Sequence, residues 1–178
     1  NSPLAAFNPQ LVKAYIKNDI KHLYMLIESG TKFSIFLASI LFLFIYNNID
    51  NLLSIWLVNY PETTLVFTKL MLIYLFINVY SNLIILAIQA TGKIKKYQIV
   101  VGSALLLNLP ICYILFSVFQ LQEPWVIYLI SISISIVSLF LRLFFIKSIL
   151  GFPIFKFLYN TLLKTLLSLL VSFLFIQK

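Results

Sequence analysis

The sequence predicts an all-α integral membrane protein, and three observations carry that expectation. Of its 178 residues, 62% are hydrophobic and the mean hydropathy is +1.03, far too apolar for a soluble domain of this size. Apolar runs long enough to cross a hydrocarbon core of about 30 Å recur along the chain. The thirteen basic residues gather at the ends of those runs, which is the signature of topology. A net charge of +8 could also point to nucleic acid, but no single helix or aromatic-interleaved patch collects it, so no nucleic-acid partner is expected.

Taken in order, residues 2–7 read as the tail of a preceding helix, cut at Asn8 and Pro9. With no initiator Met and no basic-then-apolar leader, the chain is expected to be part of something longer. Over 10–29 the pattern is amphipathic, with Leu11, Tyr15, Leu23, Leu26 and Ile27 against Lys13, Lys17, Lys21 and Glu28. That suits a helix lying in the cytoplasmic interface, with Asn18 or Asp19 capping its second half and Gly30 ending it. Residues 1–30 therefore form one region, and 31–178 hold about five transmembrane helices.

The first span is expected over 31–53, because the strongly apolar part alone is too short to cross. Asn47, Asn48 and Asp50 then mark the outer boundary, and Trp56 and Tyr60 are placed like an interfacial aromatic belt before Pro61. Further spans are expected over 65–90, 98–119 with a bend at Pro110, 125–146, and 158–176. Between the second and third lies AIQATGKIKKY at 87–97, where Gly92 supplies a left-handed helix stop before Lys93, Lys95 and Lys96. Residues 147–156, with Gly151 and Pro153, read as the next inner loop. Each inner region is basic, whereas the outer loops hold Asp50, Glu62 and Glu123 and lack Lys and Arg.

Polar residues inside the spans are the candidates for function. Tyr74, Asn78, Ser81, Asn82 and Gln89 share one face of the second span at about 100° per residue. Amides are costly against lipid, so that face reads either as the polar wall of a transport path or as interhelical hydrogen bonding. Lys69 lies roughly 140° away near the outer end, where it would attract a lipid pyrophosphate or snorkel to water. In the fourth span ISISISIVS alternates like a strand, but a spanning run satisfies its backbone as a helix. On that helix Tyr128, Ser131, Ser135, Ser138 and Arg142 share a face, with Arg142 either a bidentate phosphate ligand or a positive-inside anchor. Thr161, Thr165, Ser168 and Ser172 form a packing stripe in the fifth span. The substrate-path candidates are thus Lys69, Asn78, Asn82, Gln89 and Arg142, and the cytoplasmic basic loop is Lys93, Lys95 and Lys96.

No catalytic set emerges, so the chain is not expected to be an enzyme. His22 is the sole histidine, Asp19, Glu28, Asp50, Glu62 and Glu123 are scattered, and Cys112 is alone in an apolar run. No metal or cofactor is expected, and GKIKK lacks the second glycine and preceding strand of a P-loop.

One resemblance adds to these readings. NPQ at 8–10 followed by Lys13, Tyr15 and Asp19, IWL at 55–57 with Pro61, FTKLMLI at 67–73, QATGKIKKYQIVVG at 89–102 and NLP at 108–110 together resemble the O-antigen and capsular polysaccharide flippases of bacteria. These belong to the superfamily that includes multidrug and lipid II exporters. ATGKIKKYQ is the most specific part. The resemblance implies two six-helix lobes around a central cavity with alternating access, sometimes followed by two further helices. The spans here would correspond to the ninth to thirteenth helices, most of a C-terminal lobe whose partner is an N-terminal lobe of the same protein. Implied with it are the bacterial inner membrane, an undecaprenyl diphosphate-linked oligosaccharide as substrate, and translocation between leaflets with no covalent chemistry; no coupling ion is identified. A multidrug or ion-coupled exporter of the same superfamily is the alternative, as is a membrane-embedded glycosyltransferase or polymerase, against which the short outer loops argue.

Overall fold

Helix boundaries in this chain follow from a handful of start and stop residues. In the computed structural model, which describes residues 7–57, 60–118, 120 and 123–163, every regular element among the described residues is helical. Helix α1 (Phe7–Ile16) carries Pro9 in its first turn, where a missing N–H costs no helical bond. Asn18 turns left-handed (φ 57°) and stops it. Asp19 then caps α2 (Ile20–Asn47), its carboxylate accepting the His22 N–H at 3.0 Å.

Gly30 does not end this helix, contrary to the sequence expectation: α2 runs through it. A Cβ at Gly30 would lie 2.9 Å from the Phe7 ring and 3.2 Å from Leu83. The glycine is a contact point for α1 and α4, which offsets the roughly 1 kcal/mol it costs a helix. The amphipathic stripe over 10–29 is present, but it faces protein. Leu11, Leu23, Leu26 and Ile27 are buried in one cluster with Leu83, Ile84, Ala87 and Ile88, while the lysines face outward.

At the other end of α2 the Asn47 and Asn48 carboxamides fold back to donate to the Leu43 and Phe44 carbonyls, each at 2.9 Å. The chain turns there into α3 (Ile49–Trp56), so the expected 31–53 span is split at Asn48 and starts earlier. Helix α4 (Glu62–Ala90) begins after Pro61 and ends as expected, with Gly92 left-handed at φ 71°.

The third span breaks into α5 (Lys95–Leu106) and α6 (Asn108–Ser117), with the interruption at Leu107 rather than at Pro110. Proline has no N–H for the carbonyl four residues earlier and its ring crowds it, so the ladder opens upstream of the ring. Helix α7 (Val126–Leu150) continues about one turn past the expected end at 146, to Gly151 (φ 70°), whose N–H meets the Lys147 carbonyl at 2.8 Å. A short α8 (Ile154–Phe157) leads into a π-helical stretch, Leu158–Leu163. The remainder of the expected fifth span, with Thr165, Ser168 and Ser172, lies outside the described residues.

Among the described residues, four helical stretches are long and apolar enough to cross a membrane: Ile20–Asn47, Thr63–Ala90, Lys95–Ser117 and Val126–Leu150. At about 1.5 Å per residue even the shortest exceeds the 30 Å core. Helix α4 lies between α2 and α7, α1 crosses α2 and α4, and α5 and α6 follow α7. Burial is uneven along them. The buried residues of α2 fall between Leu23 and Ile35, and those of α4 between Tyr80 and Ile88, so the main core sits at the lysine-rich end.

Candidate functional site

Small hydroxyls and amides set inside apolar helices have two ways to be satisfied, their own backbone or a neighbouring helix. Both occur in α7. Ser133 donates to the Leu129 carbonyl at 2.9 Å and Ser131 to Ile127 at 2.8 Å, which closes the outward part of the ISISIS run on itself. Ser131 also accepts from Asn108 of α6 at 2.9 Å. Ser135 accepts a longer bond, 3.4 Å, from Asn78 of α4, whose amide also donates to the Tyr74 carbonyl at 2.8 Å.

Aromatic contacts fix the same seam further along. The Tyr128 ring meets Phe67 edge to face at 4.6 Å and Tyr74 at 6.1 Å, joining α7 to α4. Toward the lysine-rich end the seam closes: Ser135 and Ser138 of α7 and Ser81 of α4 are buried, and Arg142 is only 6% exposed. The Arg142 Nε and the Ser138 Oγ are both fully enclosed without a hydrogen-bond partner. An N–H on a permanently charged guanidinium is costly to leave unmet in such a setting. What the arrangement offers chemically is a fixed cation with donor capacity to spare, the group best matched to a phosphate or carboxylate.

No protein-family model, curated protein or solved structure matches the chain. The site therefore stands on its own geometry. Of the sequence candidates, the α4–α7 seam brings together Asn78 and the buried face of α7 that includes Arg142. Asn82 is half-buried beside it in sequence, one residue from buried Ser81. Gln89 is exposed, and its backbone carbonyl serves the turn by accepting the Gly92 N–H at 3.0 Å. Lys69 belongs to the other side of α4: its ammonium lies 5.6 Å from the centre of the Tyr46 ring of α2. The polar face of the second span is thus divided between a seam and a solvent-facing end.

Lys93, Lys95 and Lys96 are exposed, around a turn held by Thr91, whose hydroxyl donates to the Ile88 carbonyl at 2.7 Å and accepts the Lys93 N–H at 3.2 Å. Sequence reasoning missed Asn108, which bridges to Ser131 and accepts the Cys112 thiol at 3.3 Å. The signal was available, since an amide within an apolar run is the same feature that singled out Asn78.

Proposed function

We propose that the chain is part of a multi-pass transporter of the bacterial inner membrane, a flippase that moves undecaprenyl diphosphate-linked oligosaccharide repeat units from the cytoplasmic to the periplasmic leaflet. The observation that carries the reading is Arg142, a buried cation whose Nε has no partner inside a seam between two apolar helices. An ionisable residue at such a depth marks a substrate or ion path by default, and a diphosphate oxygen is the acceptor its geometry lacks. The resemblance at QATGKIKKYQIVVG supplies the substrate class. The barrier to be lowered is passage of a charged, sugar-bearing headgroup through hydrocarbon, and a polar seam with a fixed cation reduces it. Within the lobe arrangement that the resemblance implies, this chain works with a second, N-terminal lobe.

The test is mass spectrometry of lipid-linked oligosaccharides, together with detection of surface polysaccharide, in cells lacking the protein that contains this chain. Accumulated undecaprenyl diphosphate-linked repeat units with loss of surface polymer are expected. Normal intermediates and normal polymer would move the assignment to an exporter of other cargo, and truncated glycans would move it to a transferase.

A further inference from the structure

The basic turn does more than mark a membrane boundary: it walls a pocket. Residues 92–96 of the turn and Phe145, Ser148 and Ile149 of α7 enclose about 420 Å³. Its shape is built rather than incidental. Gly92 reverses the chain, Thr91 ties both sides of the reversal, and Tyr97 packs edge to face on Phe145 at 5.8 Å, holding α5 against α7.

Three features of the lining select a ligand. Lys93, Lys95 and Lys96 supply three cations, and among the described residues that line the pocket none is acidic. Helix α5 begins at Lys95 with no side-chain cap, so the free N–H groups of its first turn add donors and a positive dipole end. Phe145, Ile149 and Ile94 give the pocket an apolar side, with Ile94 42% exposed. The pocket also lies at the ends of α4, of the α5–α6 stretch and of α7, each long enough to span, which is the depth of lipid headgroups. A soluble anion would use the lysines and leave the apolar side wet; a lipid uses both.

We propose that this pocket binds an anionic phospholipid, its phosphate held by Lys93, Lys95, Lys96 and the α5 N-terminus, and its acyl chains lying along Phe145 and Ile149. Basic pockets between spanning helices hold such headgroups elsewhere by the same physics. The site is separate from Arg142, which does not line it, and it stands whether or not the chain transports anything.

The experiment is native mass spectrometry of the full chain purified in mild detergent with equal amounts of dioleoyl phosphatidylglycerol and dioleoyl phosphatidylcholine. Preferential retention of phosphatidylglycerol is expected. Each lysine near an anionic headgroup is worth about fivefold, so Lys93→Gln, Lys95→Gln and Lys96→Gln combined lower retention by at least about tenfold. Ser148→Glu, which places an anion in the pocket from an exposed position, is expected to act in the same direction. Lys13→Gln, Lys17→Gln and Lys21→Gln together remove as many charges from elsewhere at the same end and leave retention within about twofold. Undiminished retention in the pocket variants overturns the proposal. So does an equal loss in both lysine triples, which means diffuse charge, and so does displacement by millimolar inorganic phosphate, which means a soluble anion.

Discussion

Keeping a guanidinium among packed helices is expensive unless something completes its hydrogen bonds, and removing a buried charge in favour of a similar apolar volume is often neutral or stabilising. Arg142 carries that cost, because its Nε is enclosed and unpartnered. If the charge exists for substrate, stability and transport should separate. Arg142→Met is expected to unfold no more easily than the parent in a thermal melt and to gain up to about 1 kcal/mol, while export in the whole protein falls at least tenfold. Arg142→Lys should retain charge but lose bidentate phosphate contact, giving export between the two. A methionine variant that melts well below the parent would make Arg142 a structural element instead. Lys69 predicts the opposite pattern. Its ammonium rests near the Tyr46 ring on the far side of α4, so Lys69→Gln should leave export within about twofold and cost less than about 1 kcal/mol. For Asn78 and Ser135, joined by a long 3.4 Å bond, a double-mutant cycle on unfolding should return a coupling of about 0.6 kcal/mol. The sequence made these residues visible as polar intrusions in apolar runs, and helical geometry grouped them by face, although Gln89 proves exposed and Ser131 meets α6 whereas Ser135 meets α4. It could not say which neighbour each face meets, because that depends on which helices flank α4.

Gly30 shows the same limit for whole elements. Read locally, a glycine after an amphipathic stretch is a stop; in the fold it is the spot where the Phe7 ring comes within 2.9 Å of a would-be Cβ. Local signals were reliable where the backbone itself required them: Gly92 and Gly151 are both left-handed and both end helices, and Asp19 caps α2. They were unreliable where glycine was needed for room. Pro110 was legible as a bend, yet the break falls at Leu107 because the ring acts on the carbonyl one turn back. Leucine at position 30 would force the first helix away, since overpacking of this kind costs about 1–3 kcal/mol and α1 is short. Gly30→Leu should therefore speed tryptic cleavage at Lys13 of α1 and at Lys17 just beyond it severalfold while leaving sites in the α4–α5 turn unchanged. Unaltered cleavage would mean that α1 is held by Leu11 and Ala14 without help from the Phe7–Gly30 contact.

On the scale of the molecule, one end carries the described lysines other than Lys69, most of the buried core and both left-handed glycine stops, and the other carries Asp50, Glu123 and aromatic contacts such as Phe67–Tyr128. The Tyr24 hydroxyl donates to the Leu150 carbonyl, so the start of α2 and the end of α7 share an end, as alternation of basic and acidic loops in the sequence requires. Between the far halves of α2 and α4 an apolar cleft of about 210 Å³ opens, lined by residues such as Leu41, Ile45, Leu72 and Phe76. Helices α2 and α4 are pinned together at the basic end and part at the acidic one, where α4 stays joined to α7 through Phe67 and Tyr128. Since an excess of Lys and Arg in short loops marks the cytoplasmic side, the prediction is that the pinned end faces inward. That orientation also sets the direction in which a substrate held by Arg142 would have to move to leave through the looser end. It can be measured with a membrane-impermeant maleimide on single cysteines introduced after Cys112→Ala. Both Lys93 and Asp50 are exposed, so Lys93→Cys and Asp50→Cys should fold as the parent does. Asp50→Cys should label in intact cells, or in spheroplasts where an outer membrane stands in the way, and Lys93→Cys only once the inner membrane is opened. Labelling of Lys93→Cys in sealed spheroplasts would place the basic end outside and reverse the proposed direction of export.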